Sequence, residues 1–184
     1  MSRQRHRVIL LVGFMGAGKT SVGKMLAEQL HGRFVDLDDL VVVREGRSIA
    51  QIFEEAGESG FRSRESAALQ QLLSELKSSG NAVVALGGGA LSQPENLKAI
   101  ETSGFPKIFL DGPVEVLFQR CSSQDLARPL LKDFNSFRDL YLSRRSHYSS
   151  AAARVETGRK SVPDICGEIR SLLQTSTLRT KENG

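Results

Sequence analysis

Val8-Ile-Leu-Leu-Val-Gly-Phe-Met-Gly-Ala-Gly-Lys-Thr20 is the stretch that decides the fold. Five aliphatic residues without a polar interruption suit a strand covered on both faces, the form strands take inside a parallel sheet. Gly13 to Thr20 then matches G-x-x-x-x-G-K-[ST], between a buried strand and a helix start, where that pattern has physical meaning. The glycines let the backbone curl until successive N–H groups point inward at phosphate oxygens, helped by the positive end of the helix. The backbone of Gly16, Ala17, Gly18, Lys19, Thr20 and Ser21 is therefore expected to cradle a nucleotide triphosphate. The Lys19 ammonium reaches the phosphates, and the Thr20 hydroxyl is placed for Mg2+. Val22, Leu26 and Leu30 follow at helical spacing, with Gly32 as a stop signal.

Outward from this unit the same alternation repeats. Residues 33–36 predict a second strand. Ser48 and Gln51 form a capping box that opens a short helix to Glu55, closed by Gly57. A longer helix is expected near residues 63–77, with Ala68, Leu69, Leu72, Leu73 and Leu76 on one side. Residues 82–86, 107–110 and 154–156 predict three further strands, each followed by a helical pattern with a start signal at Pro94, Pro113 or Ser161. Such an order implies right-handed crossovers and an α/β fold: three α/β/α layers on a five-stranded parallel sheet, with ligands gathering at the carboxyl ends of the strands.

Composition narrows the function classes. A chain of 184 residues, 40% hydrophobic and 25% charged, has the makeup of one globular domain rather than of a disordered or fibrous protein. No apolar run approaches the roughly 20 residues a bilayer-spanning helix needs, so no membrane association is expected. The basic opening is too short for a transit peptide and its apolar sequel too short for a secretory signal, which predicts a cytoplasmic protein. Cys121 and Cys166 lack metal-ligand spacing and are expected as reduced thiols. The net charge of +4 comes from the ends: without residues 2–7 and 175–184 there remain 20 basic and 20 acidic residues. No nucleic-acid partner is expected from a neutral body. Residues 1–7 and 175–184 are expected to be flexible, flanking a single domain over 8–174.

Within that domain the second strand runs into Phe34-Val-Asp-Leu-Asp-Asp39. Read as strand, it puts Asp36 and Asp38 on one face and Asp39 on the other, so one carboxylate supports the metal and its neighbour grips an acceptor hydroxyl. Gly87-Gly-Gly89 closes the third strand with no Asp, which leaves metal support to Asp36. Arg62 and Arg144 are candidate ligand binders, and Phe53 lies close in sequence to the first. Arg128, in Ala127-Arg-Pro-Leu-Leu131, begins a polar stretch within residues 120–160, which hold nine Lys and Arg against four Asp and Glu. Such a stretch suits a lid whose guanidinium closes over phosphates and excludes water. His6, His31 and His147 have no ligand spacing and are read as surface or packing residues.

Together these marks resemble the shikimate kinase family, in the nucleoside-monophosphate-kinase-like group of P-loop folds. The resemblance covers about residues 8–173. It rests on Gly13 to Thr20, on F-V-D-L-D-D, on Gly46-Arg-Ser-Ile49 with Ile52-Phe53, on Phe61-Arg62 with Glu65, on Gly87 to Gly89 and on Arg128-Pro-Leu-Leu131. It implies ATP-dependent phosphorylation of the 3-hydroxyl of shikimate on the way to chorismate and aromatic amino acids, by a monomer. It further implies a substrate-binding helical insertion near residues 37–66 and a mobile lid near 122–134. By resemblance, Asp38, Arg62, Gly88 and Arg144 bind shikimate, with Phe53 and Phe61 as its apolar wall. Lys19, Asp38 and Arg128 are then catalytic, Thr20 and Asp36 hold Mg2+, and Arg120, with Arg159 second, lies against adenine.

One departure stands out. Where the family commonly has R-x-P-x-Y, this chain has Arg144-Arg-Ser-His-Tyr148. Counting back from Tyr148 selects Arg144, and because neighbouring helix positions differ by about 100°, Arg145 must face elsewhere. A related kinase acting on gluconate or a nucleoside monophosphate is disfavoured, because Arg62, Asp38 and the glycines suit a carboxylated polyol. A noncatalytic nucleotide switch is disfavoured by the full set of phosphate-directed cations, and the N-K-x-D guanine reader of a GTPase is absent.

Overall fold

All five residues of β1 (Val8–Val12) are buried, as are those of β3 (Ala82–Ala85) and β4 (Lys107–Asp111), because β1 lies at the centre of the sheet with those two strands beside it. β2 (Arg33–Asp36) and β5 (Ala153–Glu156) form the edges and are less buried. The order is β2-β3-β1-β4-β5, with every pairing parallel. Leu10 and Leu11 are fully excluded from water, and truncating either to Ala would cost about 2–5 kcal/mol. The computed structural model describes residues 7–78, 80–123, 133–148 and 150–182, with side chains as far as 174. Arg128 and most of the expected lid (residues 124–132), His6 and the rest of residues 1–6 lie outside the described residues.

The helices are α1 (Lys19–Gln29), α2 (Leu37–Glu45), α3 (Ile49–Leu76), α4 (Pro94–Ser103), α5 (Val114–Ser122), α6 (Phe134–Tyr148) and α7 (Val162–Glu182). α1 packs on α7 and β3, while α3 packs on α4 and α5 on α6. This is the expected three-layer α/β/α arrangement. Parallel register brings the carboxyl ends of all five strands to one rim, which holds Gly13, Asp36, the Gly87–Gly89 run, Asp111 and Thr157.

Three local readings are corrected. The second strand ends at Asp36, so Asp38 and Asp39 are not strand residues with opposed faces; they occupy the first turn of α2. The Asp36 carboxylate accepts the Asp38 N–H at 3.1 Å and so caps that helix. Leu37 and Val41, one helical turn apart, are its buried stripe. Second, Gly57 does interrupt a helix, at φ 65 and ψ −172, but helix resumes at once rather than near Ser63. Third, the left-handed residue that ends α1 is His31 at φ 50 rather than Gly32. α7 runs on to Glu182 through the expected tail, since no Gly or Pro follows Gly167 until Gly184. Among the described residues no helix is long and apolar enough to cross a membrane.

Candidate active site

The glycine-rich turn after β1 wraps the start of α1. Gly16 has φ 78, and a side-chain carbon there would stand 2.5 Å from the Leu117 carbonyl oxygen, so only glycine lets α5 pack beneath the turn. Gly18, also left-handed, is the N-cap of α1 and lends it no side-chain acceptor, which leaves the first N–H groups of the helix for an anion. The Lys19 Nζ lies along the turn, donating to the Gly13 carbonyl at 2.8 Å and the Phe14 carbonyl at 3.1 Å. From the next position the Thr20 hydroxyl donates to Asp36 Oδ2 across 3.3 Å. A hydroxyl and a carboxylate meeting beside a phosphate-binding turn form an oxygen donor set of the kind Mg2+ prefers.

Arg120 joins this turn to the far side of the rim. Its guanidinium donates to the carbonyls of Thr157 at 2.8 Å, Gly158 at 3.2 Å and Gly16 at 3.4 Å. Arg159, the second adenine-side candidate, is exposed on the same loop as Gly158.

The other half of the site is built around the three glycines after β3. A side-chain carbon on Gly87 would stand 2.7 Å from Asp38 Oδ1 and 2.9 Å from Glu65 Oε1. On Gly88 it would stand 3.3 Å from Arg144 Nη1, and on Gly89 2.5 Å from Arg62 Nη2. Four charged side chains from α2, α3 and α6 therefore converge on one glycine shelf, close enough that any larger residue would displace them. Tyr148 steadies the shelf, its hydroxyl donating to the Gly88 carbonyl at 2.6 Å. Burial pushes the Tyr148 phenol up to about 12, so it stays a neutral donor.

Arg62 is held by Glu65 at 2.9 Å and Glu58 at 3.3 Å, and its guanidinium lies 5.2 Å from the centre of the Phe61 ring. Burial works against the Arg62 charge, but the Glu65 hydrogen bond and charge raise its pKa on balance. Glu65 is buried, and desolvation lifts its carboxyl above the ordinary value against the hydrogen bond from Arg62; the Asp38 charge lifts it further and Arg144 opposes. Among the described residues, Arg62 Nε and Glu65 Oε1 are buried without a hydrogen-bond partner. Each such atom costs about 1–3 kcal/mol unless a ligand or water satisfies it, which marks the shelf as a place for a polar molecule. Phe53 stacks on Phe61 with ring centres 5.0 Å apart, one ring partly exposed and the other buried, as an apolar wall would require.

The fold thus brings Lys19, Thr20 and Asp36 together on one side and Asp38, Arg62, Gly88, Arg144, Phe53 and Phe61 on the other. Arg145 points away, to Asp111. Site-lining residues not singled out from the sequence as ligand contacts are Glu65 and Tyr148. A lone Glu among the apolar positions of α3 was the available signal for the first; Tyr148 gave none beyond its spacing from Arg144.

A phosphate-binding turn with its lysine, a hydroxyl and carboxylate beside it, and a charged acceptor shelf across the same rim define a P-loop kinase of small molecules. Comparison with known proteins agrees. The family model for shikimate kinase matches residues 15–174. The shikimate kinases of Persephonella marina and Symbiobacterium thermophilum are each 43% identical, over 89% and 90% of this chain and 96% and 95% of theirs. The structure of shikimate kinase from Acinetobacter baumannii in complex with shikimate superposes with a TM-score of 0.85 at 36% identity, covering 95% of this chain and 97% of that one. The chain belongs to the shikimate kinase family.

Proposed function

We propose that this shikimate kinase binds its acceptor on the glycine shelf and passes it the γ-phosphoryl group of ATP held in the turn, at the 3-hydroxyl. The observation that carries the reading is the convergence of Asp38, Arg62 and Arg144 on Gly87 to Gly89 across from Lys19. Shikimate has one carboxylate, suited to the paired guanidiniums of Arg62 and Arg144 with the Gly88 backbone beside them. Its ring hydroxyls then face Asp38, and its apolar edge faces Phe53 and Phe61.

Phosphoryl transfer passes through a loose transition state, so positioning and charge stabilisation dominate. Asp38 orients the 3-hydroxyl and receives its proton as the new O–P bond forms and the bond from the γ-phosphorus to the bridging oxygen of ADP breaks. Lys19 stabilises charge on the transferring group, a role shared with Arg128. Thr20 and Asp36 would hold Mg2+, the hydroxyl directly and the carboxylate through water; the ion offsets phosphate charge when bound. Gly16, Ala17, Gly18 and Ser21 supply backbone or side-chain donors to ATP, with Arg120 and Arg159 on the adenine side. Both half-sites come from one chain, which supports action as a monomer, and the cytoplasm is the compartment we propose for the reaction.

The test is ADP release from ATP and Mg2+ with shikimate, gluconate or a nucleoside monophosphate as acceptor. Turnover with shikimate alone is expected. Preference for either rival acceptor would overturn the reading.

A further inference from the structure

Asp111 ends β4 with 1% of its side chain exposed, yet it is outside the site described above. Its Oδ1 accepts the Gly112 N–H and the Tyr141 hydroxyl, both at 2.9 Å. Its Oδ2 takes the guanidiniums of Arg145 at 3.1 Å and Arg154 at 2.8 Å. Two of these four partners, Tyr141 and Arg145, lie one turn apart on α6. A carboxylate this buried is tolerable only while its cations and donors stay in place, so the geometry of α6 is tied to it.

On α6, with each residue advancing about 100°, Tyr141 and Tyr148 share the inward direction, Arg144 lies to one side of it and Arg145 to the other. Tyr148 and Arg144 meet Gly88; Tyr141 and Arg145 meet Asp111. Rolling the helix by one residue would put Arg145 in the place of Arg144 and carry Arg144 off the shelf. Tyr148 and the buried Phe137, its ring 5.0 Å from that of Phe14 and 5.2 Å from that of Phe118, anchor the apolar face of α6. Asp111 adds the polar tie that tells the two sides of that face apart, through an arginine in the stretch where this chain departs from R-x-P-x-Y.

We propose that Asp111 is a positioning residue for the acceptor site: by holding Arg145 and Tyr141 it sets the rotation of α6 that presents Arg144 to the shelf. The proposal rests on the reading of Arg144 as a binder of the shikimate carboxylate.

The experiment compares Asp111→Asn, Arg145→Ala, Arg145→Lys and the Asp111→Asn/Arg145→Ala double variant. Arg145 is partly exposed and Arg154 still pairs with Asp111 in its absence, so its substitution spares the fold even if Asp111→Asn does not. Both Asp111→Asn and Arg145→Ala are expected to raise shikimate KM about tenfold, the effect of losing one charge-assisted tie, with ATP KM unchanged. Arg145→Lys, which keeps a cation for Asp111, should restore most of the loss. The double variant should be no worse than either single, because both cut the same tie. A shikimate KM equal to wild type in Arg145→Ala, or a parallel rise in ATP KM, would overturn the proposal. A second readout needs no substrate: the Arg144 Nε–Hε NMR signal should shift in Asp111→Asn and Arg145→Ala and return in Arg145→Lys. If wild type phosphorylated no shikimate, the functional reading would fall while this signal still decided the proposal, an unmoved signal refuting it.

Discussion

Asp36 and Asp38 are joined through one carboxylate: Asp36 Oδ1 accepts the Asp38 N–H at 3.1 Å while Asp36 Oδ2 accepts the Thr20 hydroxyl at 3.3 Å. The side chain proposed to support the metal also starts the helix that presents the acceptor-facing carboxylate. The two roles can be separated. Asp36→Asn keeps an oxygen for the cap and loses the charge, so it should fold with near-normal stability and lose most of its kcat with Mg2+ and ATP. Asp36→Ala should show the same catalytic loss and a further stability loss of about 1 kcal/mol from the missing cap. Urea unfolding of the two variants checks this; equal stability would mean that the cap contributes nothing.

Asp38→Asn should bind shikimate weakly and turn over very slowly, since it keeps the shape but loses the charge and the proton sink. Asp39→Asn should be nearly silent, because Asp39 is exposed one step further round the first turn of α2. The check is kcat for both at saturating substrates. A dead Asp39→Asn beside an active Asp38→Asn would reverse the assignment.

The half of the site that is continuous in sequence was legible there, and the half assembled across the chain was less so. Gly13 to Thr20 announces a strand, a turn and a helix in consecutive residues. Asp38 was set apart from Asp39 by a strand geometry that does not hold, because the Asp36 carboxylate caps a helix there, and the structure brings Asp38 beside Gly87. Arg144 was distinguished from Arg145 by its count from Tyr148, and the structure places it against Gly88. What forces Arg145 away was not legible: Asp111 lies 34 residues upstream and reads in sequence as an ordinary strand end. The burial of Glu65 depends likewise on α3 folding over the glycine shelf.

Tyr148→Phe removes the hydroxyl that donates to the Gly88 carbonyl at 2.6 Å while keeping the ring stacked on Phe109 at 5.2 Å. Leaving that carbonyl without its donor should cost about 1 kcal/mol and loosen the shelf, raising shikimate KM about fivefold with ATP KM unchanged. Steady-state kinetics for both substrates decide it, and a matching rise in ATP KM would contradict the local role.

Glu65 titrates above its ordinary value of 4.5 because it is buried, with Arg62 opposing and Asp38 adding to the rise. An acid with a raised folded pKa contributes stability that is complete below its unfolded value and is lost as pH rises through the folded one. The stability of wild type minus that of Glu65→Gln should therefore fall as pH rises above 4.5. Urea unfolding across that range tests the sign. A difference that rises with pH would mean that Arg62 outweighs burial.

A substrate carboxylate is proposed to lie between Arg62 and Arg144, and the most direct measurement of it is KM for shikimate and for its uncharged methyl ester in wild type, Arg62→Ala and Arg144→Ala. Each substitution is predicted to raise KM for shikimate about ten- to hundredfold, the worth of a hydrogen bond to a charged group, and to change KM for the ester and for ATP little. Equal penalties on acid and ester, or none on shikimate, would contradict the clamp and with it the orientation that delivers the hydroxyl to Asp38.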